Sequence, residues 1–352
     1  MKSPIFLGVL IVLLYITPSS AIDVHKISLN RFATDISTLT SEMSPDGKAT
    51  INSASNFPGE IRIIARESQT VTFEYRKILK TPDYNEAISY AEVIEVEIKN
   101  VPGGINLMLR APNPPPWSGS DNSARIEGEL RLPLNCDLDI ESDFIDFTIE
   151  GPFRSISNKP SFAQFDIRGV SEKLDITTAG QNIYLRDISG LVSVTTNNAD
   201  IRIRNMITDT KPARLKNERG DILIADHDGA LDVQNSFGKI RINGARLKSH
   251  TSKIHGLHCP IKLEAAEITG GDLEITSTFE NVDLILPQSL SASMNFKVGL
   301  EGEIHIVNLP VKPIKVERDR FRGVSGEGES NIMVEIEGPG NIEVEGIILS
   351  SN

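Results

Sequence analysis

Large rings and sulfur are scarce in this sequence. Aromatic residues make up 5% of the 352, with a single Trp, Trp117, and two cysteines, Cys136 and Cys259. The paucity of rings suits an interior built from stacked Ile, Val and Leu rather than from bulky aromatic clusters. Positive charge is also short. Lys and Arg number 36 against 48 Asp and Glu, for a net −12, which gives no reason to expect nucleic-acid binding. No nucleophile–base pair, Gly-rich phosphate loop or dinucleotide motif is present, so the commonest enzyme signatures are missing. No cofactor is implied. After residue 16 no apolar run reaches membrane length, and no transmembrane segment is expected in the processed chain.

The first residues read as a targeting signal. Met1-Lys2 is a positive start, Ile5 to Ile16 is apolar but too short to span a bilayer, and Ser19-Ser20-Ala21 ends it with small residues. Cleavage is expected after Ala21, leaving an exported, soluble chain of net charge about −13 (−12 less the one Lys of the leader). Ile22 and Asp23 follow the site, so no new N-terminal Cys is offered to a lipid anchor.

What the chain does have is a repeated phrase: a turn residue, then an apolar–any–apolar triplet. It reads Asn182-Ile183-Tyr184-Leu185, Asp200-Ile201-Arg202-Ile203, Asp221-Ile222-Leu223-Ile224, Lys239-Ile240-Arg241-Ile242 and Asp272-Leu273-Glu274-Ile275. The first three steps are 18 (201−183), 21 (222−201) and 18 (240−222), and the series is expected to continue at Ile254 and Leu273. A period near 20 with two-residue alternation marks an all-β fold, a parallel β-solenoid (β-helix-like) of roughly 20-residue coils. A second strand per coil carries Leu174/Ile176, Val192/Val194, Leu231/Val233 and Ile261/Leu263. Gly180, Gly220 and Gly238 between the two supply the positive φ of a tight corner. Cys136 and Cys259 then lie five or six coils apart. At about 4.8 Å per layer that is roughly 20 Å or more, against the ~7 Å a disulfide tolerates. A bridge would require the N-terminal part to fold back.

The expected organisation is a signal peptide (1–21), an irregular N-terminal segment (22–45), an irregular N-terminal β region (46–164), and solenoid repeats with a C-terminal cap (165–348). Asp83 to Tyr90 is the one helical candidate. Residues 111–120, rich in proline and containing Trp117, read as a loop, as does Pro152 to Ala163. The charged, Gly-rich run from Val316 to Glu329 is expected to be a loop or lid over the stack's end.

The chain resembles the bacterial putative-adhesin family, a β-solenoid domain of unknown function related to autotransporter adhesin head domains. Over about residues 45–348 the matching features are Gly59-Glu60-Ile61-Arg62-Ile63, Glu129-Leu130-Arg131-Leu132-Pro133 and the Gly-Asp-Ile-x-Ile coils. At the end, Phe321-Arg322-Gly323 leads through Gly326-Glu327-Gly328 to Asn341-Ile342-Glu343-Val344. The resemblance implies a β-solenoid exported to the bacterial envelope, and no catalytic residues.

Four constellations are candidates for chemistry. His255, His258 and Cys259, close to His250, carry ligand types suited to Zn²⁺ or Cu, in a spacing that matches no zinc finger; the alternative is a distorted coil with solvated polar residues. Asp226, Asp228 and Asp232 echo a Ca²⁺ loop without its later ligands. Asp200, Asp221 and Asp272 hold equivalent corner places and could line a ridge, as a polysaccharide-cleaving β-helix would need, but acidic corner residues are also ordinary turn chemistry. Trp117, on its stiff loop, could stack on a sugar face or anchor a partner protein, or fold down and plug one end of the stack. The expected function is adhesin-like or scaffolding: non-covalent binding of envelope or extracellular glycans or proteins, without catalysis. The alternatives are a polysaccharide-active enzyme and a periplasmic accessory of a membrane signalling complex.

Overall fold

The structure, a computed structural model, describes residues 22–54, 57–299 and 301–348. The expected leader lies outside the described residues. The described chain is all-β with one helix, and no described helix is long and apolar enough to cross a membrane.

Two parallel ladders organise most of the chain, and the triplets explain why. Alternation sends their first and third residues inward and the middle one outward. Phe165, Ile183, Ile201, Ile222, Ile240, Ile261 and Val282 are successive partners in the first ladder, all buried. In the second, Val194, Leu215, Val233, Ile254, Ile275 and Val334 follow one another. Each 18- or 21-residue repeat supplies one rung to each ladder, so these inward columns are continuous stacks of mostly branched aliphatic side chains, while a neighbouring second-ladder column (Thr178, Thr196, Asn217, Asn235, Gly256, Ser277) is buried and mostly polar. The triplet series therefore continues through Ile261 and Val282. Ile254 and Leu273, expected to extend it, belong to the second ladder, and Ile261/Leu263 belong to the first. A step of 14 residues is too short to pass through both ladders and return.

The corners are as tight as the glycines suggest. Gly220 and Gly238 have φ of +114° and +116°. A Cβ at Gly238 would run into the carbonyl of Gly220 in the preceding coil.

Both ends of the stack share one device. Residues 48–54 lie between 104–110 and 137–141, and residues 59–66 between 126–133 and 145–150. At the other end, 332–335 lie between 273–276 and 294–297, and 342–345 between 282–285 and 304–307. The first and last coils in sequence are thus clamped between two others. Antiparallel strands then cover the outermost rungs: Thr70–Lys80 on Ser123–Pro133, Glu95–Val101 on Gly104–Arg110, and Arg320–Ser325 on Ala292–Lys297.

Three expectations about irregular segments are corrected. Within 22–45, Val24–Ser28, Arg31–Thr34 and Ser37–Glu42 are strands, the last two paired antiparallel to Thr70–Lys80. The open edge of that long strand supplies the hydrogen bonds that their weak alternation does not advertise. Strand Ile145–Asn158 runs through Pro152, which falls where the register to the next strand shifts, the place a missing N–H is tolerated. Within 316–329, Arg320–Ser325 forms a hairpin with Lys312–Val316, and Phe321 stacks on Phe296 at 5.9 Å.

The helical candidate is helix Tyr84–Val93. Asp83 caps it, accepting from the N–H groups of Asn85 and Glu86 at 2.8 and 2.9 Å. At its other end the buried Lys77 ammonium donates to the carbonyls of Ala91 and Ile94, each at 2.6 Å. Burial pushes the Lys77 pKa down to about 8, against the pull of the Glu95 charge.

Candidate functional site

A groove of about 560 Å³ lies on the outer face of the first ladder. Its origin is the strand pleat. The backbones of Leu185, Ile203 and Ile224, whose side chains point into the core, form the floor. One wall is the column Tyr184, Arg202, Leu223 and Arg241, the middle residues of four consecutive triplets. The other is Arg186, Arg204, Ala225 and Asn243, two residues further along each strand. The groove therefore runs across the strands, along the stacking direction.

Its charge arrangement departs from ordinary sheet design. Arg168, Arg186 and Arg204 are direct partners in successive rungs, so three guanidinium-bearing residues stack with about 4.8 Å between strands. Like charges in facing positions destabilise a sheet. Carboxylates meet these cations from the rims. Arg186 pairs with Asp166 at 3.2 Å, Arg168 with Asp187 at 2.9 Å, Arg202 with Asp200 at 3.0 Å, and Arg204 more loosely with Asp226 at 3.9 Å. The Asn205 amide and Arg168 hold Asp187 below the usual carboxylate range. Arg241 has Asn243 as its hydrogen-bond partner, at 3.4 Å, and no carboxylate among the described residues. Arg202 also lies 5.8 Å from the centre of the Tyr184 ring, a cation–π distance. All these arginines are exposed, and exposed pairs are worth about 0–1 kcal/mol each. An incoming anion can therefore exchange with the rim carboxylates at small cost.

Other acids have a structural task. Asn182 Oδ1 accepts from the Asp200 N–H at 2.9 Å, Asp200 Oδ1 from the Asp221 N–H at 3.0 Å, and Asp221 Oδ1 from the Lys239 N–H at 3.2 Å. Asp272 does the same for Asn331 at 2.9 Å. Each corner side chain staples the next coil by satisfying a donor outside the ladder. The expected acidic ridge does not form: Asp200 and Asp221 are staples at the first ladder, and Asp272 is one at the start of a second-ladder strand.

The remaining sequence candidates do not converge. Trp117 is 7% exposed, packed edge-on to Tyr90 at 5.5 Å and against Phe57 at 6.5 Å; its ring is core, and a sugar-stacking role would require it uncovered. His255 is exposed on strand Ser252–Leu257. His258, at φ +49°, is stacked between Phe237 and Phe279 at 5.6 and 4.9 Å. Cys259 is buried, with the Asn235 amide donating to its sulfur at 3.5 Å and burial pushing its pKa up to about 12. Among the described residues, no group of three or more His, Cys, Asp or Glu is placed to hold a metal. Asp226, Asp228 and Asp232 pair with three different cations, Arg204, Lys248 and Arg214. Cys136 and Cys259 are separate, buried thiols.

Sequence reasoning passed over Tyr184, Arg186, Arg202, Arg204 and Arg241, counting them as solvated alternation. The signal was present in the middle and following residues of consecutive triplets, read down the repeat rather than along it.

The chain matches no protein-family model and no curated protein sequence. Among solved structures it is similar to a putative adhesin from Parabacteroides merdae (12% identity, 89% of this chain and 96% of that one, TM-score 0.36). It is also similar to a putative adhesin from Bacteroides fragilis (9%, 89% and 97%, 0.32) and a putative lipid binding protein from Parabacteroides distasonis (8%, 89% and 96%, 0.27). At these scores the likeness carries no argument about what this chain does.

Proposed function

We propose that this is an exported, adhesin-like envelope protein, a β-solenoid that acts by non-covalent contact through the outer face of its first ladder. The parallel ladders with their 18- and 21-residue steps support the solenoid reading. The observation that carries the functional reading is the in-register row Arg168, Arg186 and Arg204 beside the groove. Folding alone does not favour such a row, and an acidic chain has ample Asp and Glu to interleave there. A non-catalytic role is supported by the corner carboxylates of Asp200, Asp221 and Asp272, each with one oxygen accepting from a backbone N–H of a neighbouring coil.

The test is a glycan-array and whole-cell binding screen with the purified processed chain, run beside an Arg204→Glu/Arg241→Glu variant. Binding that falls in the variant supports this face as the contact surface. Absence of binding to every glycan and cell overturns the adhesin-like reading.

A further inference from the structure

We propose that the groove takes a carboxylate-bearing polysaccharide strand laid along the stacking direction, an inference that rests on the surface-binding reading above. Three features select that ligand. First, the groove is open and runs continuously across four rungs, so it suits a segment of a polymer better than an enclosed small molecule. Second, four of its five cations are arginines, with Lys239 the fifth against the single carboxylate of Asp166, and the planar guanidinium fork matches a carboxylate with two parallel hydrogen bonds. Along the four rungs the arginines fall as Arg186, then Arg202 with Arg204, then, past the uncharged Leu223 and Ala225 rung, Arg241. A polymer with an acid on each sugar can bring carboxylates to each of these positions. Third, half-buried Tyr184 and Leu223 alternate with Arg202 and Arg241 along the same wall. A sugar ring has an apolar face that such side chains can cover while its carboxylate reaches the neighbouring guanidinium.

Nucleic acid fits less well. Single strands need several exposed rings for base stacking, and this groove offers Tyr184 alone. Duplex DNA carries one charge per about 1.7 Å of axis, so a chain of net −12 repels it more strongly than a polymer with one carboxylate per sugar.

The experiment measures binding of the processed full chain to immobilised polygalacturonate, neutral dextran and duplex DNA across a salt series. Arg204→Glu/Arg241→Glu is compared with Lys253→Glu/Lys297→Glu, an equal charge change on the second ladder, and circular dichroism confirms that both variants are folded. The expected result is salt-sensitive binding to polygalacturonate, none to dextran, and an affinity lowered by about tenfold or more in the arginine variant but not in the lysine variant. Equal losses in both variants, or DNA bound as tightly as polygalacturonate, would overturn the proposal. If glycans or cells are bound through the arginine face but polygalacturonate is not, the ligand class falls and the surface-binding reading stands. If nothing is bound in any format, the surface-binding reading falls with it.

Discussion

The first ladder has two outer faces built on one inner design. Near its start, Arg62 sits between Glu150 at 2.9 Å and Glu129 at 3.4 Å, in neighbouring rungs on either side. Arg125 and Arg131 likewise meet Glu60 and Glu74 across strands. A like-charge row occurs here too, Asp146, Glu60 and Glu127 in direct register, but it is acidic, with Arg76 and Arg125 reaching it from neighbouring positions, so the two regions differ in the sign of the row. In the middle, Arg168, Arg186 and Arg204 follow one another directly and their carboxylates are displaced to the rims. Beneath both regions the inward columns are the same kind of stacked Ile, Leu and Phe. Where the inside is equal and the outside differs, the difference cannot be attributed to core packing, and that makes the middle rungs the functional candidate.

The comparison can be broken at the core first. Trp117→Ala should cost about 3–5 kcal/mol in urea denaturation and leave glycan binding by the folded protein unchanged; binding lost from a folded variant would move the site to the proline-rich loop. Ile63→Ala and Ile224→Ala, buried under the two regions, should each cost about 2–5 kcal/mol. A markedly cheaper Ile224→Ala would mean that the interiors differ as well.

Lys77 contrasts a buried charge with the exposed ones. Its folded pKa of about 8 lies below the unfolded value near 10.4. Between those values the unfolded chain binds more protons, so stability should rise with pH by on the order of 2–3 kcal/mol from this group. Below pH 8 both states hold the proton and this contribution is flat. Denaturation midpoints from pH 7 to 10.5 should show that rise in the wild type and not in Lys77→Met.

The sharpest test of the comparison is smaller. Arg62→Glu places a third carboxylate between Glu129 and Glu150 and should cost about 1 kcal/mol. Arg204→Glu answers the Arg186 charge and should be neutral or stabilising by a few tenths. Equal losses in thermal melts would remove the distinction between the two faces. Last, Cys136 and Cys259, both with pKa raised to about 12 by burial, should react with a thiol reagent only after unfolding, whichever face is altered.

Much of the scaffold was legible because its signals are local. The triplets announced inward and outward positions, Gly220 and Gly238 announced corners, and Asp83 announced the helix start. Strands at 24–42 and 320–325 were less legible because their partners, not their own patterns, make them strands. Trp117 was ambiguous for a related reason: a proline-rich loop does not disclose whether its ring turns outward or settles on Phe57 and Tyr90.

The sequence by itself determined that this chain is all-β, that its strands recur about every 20 residues, and which side of each strand is apolar. These follow from period-two alternation and turn chemistry, which act over a few residues. Only the tertiary structure decided which rungs are neighbours. Register between coils is set by packing of whole inward columns, across separations of 18 or 21 residues in the middle and about 60 between the clamped C-terminal rungs. That register brings Arg168, Arg186 and Arg204 into one row and turns Asp200 and Asp221 into staples.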